Sequence, residues 1–260
     1  MQKIYIENRS GQKIAVVIEQ PKEQKGLAFV MHGLGGFKEQ DHIRACVDTF
    51  IDSGYTTISF DTTNTYGESA GNYEDATVTN YFEDLEDVTL WASKQPWYQE
   101  PFILSGHSLG GMCSLLYTEK YPEKVRGLAP FSSVISGTLS IEGYKELRPQ
   151  ELKEWETSGW RVQKSVSKPG LIKRLKWSHM LDRLKYDVIP EARNIFVPVL
   201  LIVGTEDDIT LPKHQQMLYD ELPEGSKEIH LIQGAPHTFR DKEHISEMKN
   251  LLSSWLKKYF

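Results

Sequence analysis

Gly106-His107-Ser108-Leu109-Gly110-Gly111 follows a short apolar run at 102–104 and opens an apolar segment of helix length at 109–121. A serine at a sharp strand-to-helix turn projects its hydroxyl above a sheet, and small residues two positions to either side let the chain bend that tightly. The helix beginning beside it would aim backbone N–H groups and the positive end of its dipole at negative charge developing near that hydroxyl. Ser108 is therefore the candidate nucleophile, and the Leu109 N–H a candidate donor to an oxyanion.

The same strand-then-helix rhythm extends in both directions. Apolar runs bounded by Gly or Asp stand at 27–31, 56–60, 102–104, 125–130, 197–203 and 228–232, with amphipathic segments at 39–53, 79–94, 109–121, 212–222 and 242–258 between or after most of them. Alternating strands and helices imply βαβ units and a mostly parallel sheet covered on both faces. Two alternating runs at 3–7 and 13–19, joined by the turn-rich 8–11, add an N-terminal hairpin and bring the expected sheet to about eight strands. Residues 136–190 break the rhythm. They show no clear buried strand, are rich in Trp, Lys and Glu, and are too long for an ordinary connection. They read as a largely helical cap inserted in a single domain spanning 1–260.

Composition narrows the function classes. Hydrophobic residues make up 39% and charged residues 25% of 260, which is ordinary for a globular chain. A net charge of −6 disfavours nucleic acid or an anionic membrane as the main partner. Two cysteines, Cys46 and Cys113, form neither a disulfide framework nor a metal-ligand pattern and fit a reducing compartment. No stretch is apolar enough for a membrane span, and the N-terminus lacks the apolar run of a signal peptide. A cytoplasmic location is the expectation, with no cofactor, no metal, and a small molecule as the partner.

A serine hydroxyl needs a base, and the base needs an orienting carboxylate. Of eight histidines, His237 sits in a Gly/Pro loop after the last strand, where it can reach across the top of the sheet. His230 reads as a packed or edge residue, His42 and His244 as solvated helix residues, and His107 as pointing away from Ser108. His179 and His214 have no supporting motif. Glu206, Asp207 and Asp208 all follow the strand at 197–203, and each could be the acid.

These motifs together resemble the α/β-hydrolase superfamily over nearly the whole chain. The resemblance rests on Gly106–Gly111, on His32-Gly33-Leu34-Gly35-Gly36, on Gly204-Thr205-Glu206-Asp207, on Gly234-Ala235-Pro236-His237, and on the order Ser, Asp, His. Within the superfamily the layout looks most like small feruloyl/cinnamoyl esterases and monoacylglycerol-lipase-like enzymes. The resemblance implies cleavage of a carboxylic ester through an acyl-enzyme. It places the acid three residues after the glycine, at Asp207, and the second oxyanion donor at the Leu34 N–H. A thioesterase, peptidase or acyltransferase would use the same triad, and a non-catalytic ligand-binding protein could share the scaffold. His32 reads as a buried histidine bonded to loop backbone. The 61–71 stretch resembles the family's Asp-x-x-Gly-x-Gly-x-Ser turn but carries Asn64-Thr65-Tyr66 in place of its first glycine; Asp61 then anchors a turn, and Tyr66 is a candidate substrate contact.

Residues 136–190 hold Trp155, Trp160 and Trp177, three of the six tryptophans, and carry about +4 against −10 for the remainder. Arg161, Lys164, Lys168, Lys173, Arg174 and Lys176 have no acid among them. The tryptophans are candidates to line an apolar acyl or aryl pocket. The charges read as a solvated helix face, with attraction of an anionic substrate as the alternative.

Overall fold

The computed structural model describes residues 1–165 and 170–260. Its strands and helices follow in the order β1 (Gln2–Glu7), β2 (Lys13–Glu19), β3 (Gly26–Met31), α1 (Asp41–Asp52), β4 (Tyr55–Phe60), α2 (Val78–Ala92), β5 (Phe102–His107), α3 (Leu109–Lys120) and β6 (Val125–Phe131). Then come α4 (Gly137–Leu147), α5 (Pro149–Ser158), β7 (Trp160–Lys164), β8 (Ile172–Lys176), α6 (Ser178–Arg183), β9 (Val199–Gly204), α7 (Pro212–Glu221), β10 (Lys227–Ile232) and α8 (Lys242–Tyr259).

Eight strands form one sheet in the order β1-β2-β4-β3-β5-β6-β9-β10. The β1–β2 and β2–β4 pairs are antiparallel, and every pair from β4 to β10 is parallel. The inner parallel strands are continuous apolar runs because both faces are covered: β3, β4, β5 and β9 are buried along their whole length. Successive side chains go to opposite layers. Leu27, Phe29 and Met31 pack with α2 and α3, while Ala28 and Val30 pack with α1 and α8. The chain leaves β3 outward to β4, then returns past β3 to β5. The order thus reverses between β3 and β5, and the carboxyl ends of those strands border the crevice where sites form in open α/β sheets. The 32–36 loop and Ser108 stand there.

The 136–190 segment lies between β6 and β9 and departs from its largely helical expectation. Gly159, at φ 76°, ends α5, and β7 and β8 then pair antiparallel from Trp160↔Lys176 to Lys164↔Ile172. Arg161, Lys164, Lys173, Arg174 and Lys176 therefore sit on a two-stranded ribbon, not on a helix face; Lys168 lies outside the described residues. The period-two signal was masked because the charges fall on both faces of the ribbon. In β8, Lys173 and Leu175 turn inward while Ile172 and Arg174 are exposed. Among the described residues, no helix is long and apolar enough to cross a membrane.

Candidate active site

Ser108 stands between β5 and α3 with φ 55° and ψ −115°, a strained conformation for a residue with a side chain. Three backbone bonds hold it there. Its N–H donates to the Phe131 carbonyl at 3.1 Å, and its own carbonyl accepts from Met112 at 3.2 Å and Val134 at 3.1 Å. The neighbouring glycines are required by close approach: a Cβ on Gly110 would strike the His32 carbonyl at 2.6 Å, and one on Gly106 would strike the Gly110 backbone.

The Ser108 Oγ lies 3.1 Å from His237 Nε2, and His237 Nδ1 lies 2.9 Å from Asp207 Oδ2. The carboxylate accepts from Nδ1–H, which leaves the Nε2 lone pair to accept from the serine hydroxyl. Asp207 is buried, and its Oδ1 accepts from the N–H groups of Ile209 at 3.0 Å and Thr210 at 2.8 Å. Burial works to raise its carboxyl, but the field and hydrogen bond of His237 and the Thr210 N–H hold it below the usual carboxylate range. Asp208 points to solvent and pairs with Arg148, and Glu206 is exposed. Neither caps α7, whose N-cap position is Leu211 without a side-chain bond.

The loop after β3 closes the other side. A Cβ on Gly33 would come 3.0 Å from Ser108 Cβ, so the backbone leading to Leu34 runs directly past Ser108. Gly35 N–H donates to the Tyr81 hydroxyl at 3.1 Å, whereas the N–H groups of Leu34 and Leu109 have no acceptor among the described residues. His32 bonds the loop backbone, with Nδ1 2.8 Å from the Gly33 carbonyl and Nε2 accepting from Thr62 N–H at 3.1 Å. Asp61 anchors the neighbouring turn through Lys38 N–H, Lys38 Nζ and Glu68 N–H at 2.7–2.8 Å.

His42 differs from expectation. It is buried, not solvated, with its ring 4.5 Å from that of His107, whose Nε2 in turn lies 2.7 Å from the His237 carbonyl. Burial, with the field of His237 behind it, lowers His42 to about 3, and burial with the fields of His42 and His237 holds His107 well below its ordinary range. Both rings are neutral packing for the histidine loop.

A cleft of about 580 Å³ opens over Ser108 and His237. Leu34, Phe37 and Phe239 form its apolar wall; Gln163, Lys164 and Lys173 reach it from the ribbon, and Arg240 from the histidine loop. The structure does not bring Tyr66, Trp155, Trp160 or Trp177 to this lining. Trp155 is the buried centre of the insertion, 5.9 Å from Tyr144 and 5.3 Å from Trp177. Trp160 lies under Arg174, and half-buried Tyr66 stacks on Tyr73 with Lys173 above it. Thr210 was missed in the sequence, although its spacing from Asp207 is that of a side-chain-capped turn. Arg240 and Gln163 carried no sequence signal. Among the described residues, no group of three or more His, Cys, Asp or Glu is placed to hold a metal ion.

Residues 22–243 match the family described as serine aminopeptidase, S33. The mouse mitochondrial palmitoyl-protein thioesterase ABHD10 is 26% identical over 227 residues, covering 85% of this chain and 71% of that protein. Its bovine counterpart is 26% identical over 203 residues, and the match spans 60% of that protein's length. Among solved structures, Est1E from Butyrivibrio proteoclasticus with ferulic acid bound superposes with a TM-score of 0.81 at 19% identity over 98% of both chains. Mouse alpha/beta hydrolase domain-containing protein 10 gives 0.81 at 20% identity over 99% of both. At these identities the structural likeness speaks to the fold. The family match covers most of the chain, and with the sheet order it carries the assignment: the chain belongs to the serine aminopeptidase, S33 family of α/β-hydrolases.

Proposed function

We propose that the protein is a serine hydrolase that cleaves carboxylic esters through an acyl-enzyme. The observation that carries this reading is the unbroken line Ser108 Oγ–His237 Nε2, His237 Nδ1–Asp207 Oδ2, set beside two N–H groups without an acceptor among the described residues. In this reading His237 takes the proton as Ser108 attacks the carbonyl carbon, and the Leu34 and Leu109 N–H groups stabilise the tetrahedral oxyanion. His237 then gives the proton to the leaving alcohol. A water, losing its proton to His237, attacks the acyl carbon; the Ser108 Oγ–acyl bond breaks, His237 returns the proton to Oγ, and the acid leaves. The 136–190 segment serves as a cap over this cleft and places the ribbon's Gln163, Lys164 and Lys173 against the leaving or acyl group. The likeness to a thioesterase sequence favours a thioester as the second substrate class; the same steps serve it, with a thiol leaving.

The test is labelling and turnover together. Ser108 should react with a fluorophosphonate, and Ser108→Ala should lose both the label and at least about 10³-fold in kcat on 4-nitrophenyl butyrate. Labelling that moves to another serine in the variant would refute the assignment. Parallel assays with the matching thioester and an aminoacyl arylamide rank the three bond types.

A further inference from the structure

Two arginines of the 136–190 segment are held in a way that nothing above uses. Arg161, on β7, turns its guanidinium over the ring of Trp155 at 4.8 Å and donates to the hydroxyls of Tyr144 and, at 3.3 Å, Tyr73. Arg183, the last residue of α6, is 7% exposed; its Nη2 donates to His179 Nε2 at 2.8 Å and its Nε has no acceptor among the described residues. His179 Nδ1 lies 2.8 Å from the Ala76 carbonyl, so the ring carries its proton there and stays neutral. Its ring stacks on Trp155, and Trp155 Nε1 also lacks an acceptor among the described residues although Trp155 is 1% exposed.

Neither guanidinium has a carboxylate within 4.0 Å among the described residues, and residues 166–169, Val-Ser-Lys-Pro, contain none to offer. Glu151, the acid whose field acts on Arg161, is engaged by the Gln163 amide at 2.7 Å. Arg161 is half-buried and Arg183 buried, whereas buried Lys38 meets Asp61, Glu39 and Glu68 within 2.8 Å. Buried charges are ordinarily paired, and buried donors ordinarily bonded. Two cations and two donors without an acceptor among the described residues, gathered in one packed cluster, match an anion with several acceptor oxygens.

We propose that Arg161 and Arg183, flanked by the Tyr73 and Tyr144 hydroxyls, bind a carboxylate or phosphate group carried by the substrate at its end remote from the reacting ester. The placement fits. Tyr73 belongs to the turn before α2, whereas both arginines and Tyr144 belong to the insertion, so the cluster sits on the seam between them. The Tyr73 ring packs on the Cα of Gly35, next to Leu34, and Lys173, which lines the cleft, lies 5.9 Å from its centroid. The cluster is thus one aromatic layer behind the oxyanion loop. This inference rests on the esterase reading for its substrate, but not for its anion.

The test has two arms on the full chain. In the first, kcat/KM for 4-nitrophenyl hydrogen adipate is compared with that for the methyl-capped neutral diester. The unsubstituted protein should prefer the acid on the order of tenfold, and the ratio should fall to about one in Arg183→Met and in Arg161→Met. In the second, phosphate or adipate is titrated at constant ionic strength while Tm is followed. A saturable rise is expected, absent in Arg183→Met. Should Arg183→Met not fold, Arg161→Met and the titration of the unsubstituted protein decide. Equal ratios in all three proteins, or a Tm indifferent to both anions, overturn the site. A Tm response without preference for the acid ester overturns its service to the substrate. No turnover of either ester overturns the esterase reading alone, since the titration still reads the anion.

Discussion

Asp207→Asn is the most informative single substitution, because the surroundings dictate which way the new amide must face. Two backbone donors, Ile209 N–H and Thr210 N–H, fix Oδ1 as an acceptor. The asparagine must therefore place its carbonyl oxygen there and its NH₂ where Oδ2 now faces His237 Nδ1 at 2.9 Å. An NH₂ cannot accept from Nδ1–H, so the imidazole moves its proton to Nε2 and turns a donor toward Ser108. His237 is then in the wrong tautomer to act as the proposed base, a change that in another triad enzyme costs about 10⁴ in kcat, or about 5.5 kcal/mol of barrier. Stability should change by only about 1–2 kcal/mol, because shape and the Oδ1 bonds survive. Sign follows from the depressed carboxyl: its contribution is present above its unfolded value and is lost as pH falls through the lower folded one. The Tm gap between the two proteins should therefore narrow on acidification from about pH 5 to about pH 3. Asp208→Asn removes a solvent-facing pair with Arg148, and should cost about 0–1 kcal/mol and less than about twofold in rate. The assay is kcat/KM on 4-nitrophenyl butyrate beside circular dichroism. An Asp207→Asn protein that keeps more than about a tenth of its rate, or an Asp208→Asn protein that loses more, refutes the placement of the acid.

Gly33→Ala should lower kcat by roughly 10²-fold with the fold intact, since the methyl meets His107 Nδ1 at 2.9 Å and Ser108 Cβ at 3.0 Å; unchanged kcat would mean the 32–36 loop does not set the site. Glu119 is pushed up to about 8 by burial and by the fields of Glu191 and Asp187, and its buried Oε1 has no hydrogen-bond partner among the described residues. A raised acid loses stability as pH climbs from its unfolded value through the folded one, so Glu119→Gln should raise Tm at pH 8.5 and be nearly neutral at pH 5; the reverse order would show that the carboxyl is solvated. Trp155→Ala removes the buried centre of the 136–190 insertion and should cost about 3–5 kcal/mol, seen as lowered Tm and proteolysis within that segment. If it instead shifted acyl-length preference at full stability, Trp155 would line the substrate path.

The body of the fold was legible because its elements announce themselves locally. The runs at 27–31, 56–60 and 102–104 are buried on both faces, so no alternation competes with the reading, and each ends in a glycine or acid that turns the chain. The turn at Ser108 was legible in part for the same reason: Gly106 answers a contact four residues away, with the Gly110 backbone, whereas Gly110 is set by the end of β3, far away in the sequence. His42 was not, because its burial comes from rings at 107 and 131 that only the folded sheet brings beside it.

The insertion hid its chemistry for a different reason. In a strand of mixed Arg, Lys, Leu and Trp, net charge says nothing about which cation turns inward. At Arg161 the decision is made by Trp155 and Tyr144 from helices earlier in the chain and by Tyr73 from the body. Arg174, by contrast, stays exposed over Trp160, and Lys176 pairs with Asp75. The same run thus divides into an exposed set that solvent screens and an inward set that it does not. On the proposal above, Arg161 of that second set, together with Arg183, distinguishes an anionic substrate at physiological salt. Raising salt should accordingly weaken steering by Lys164 and Arg240 at the cleft mouth while leaving the acid-over-neutral ratio set by Arg161 and Arg183 nearly unchanged. A ratio that collapses with salt as fast as the encounter rate would assign the discrimination to the cleft mouth instead.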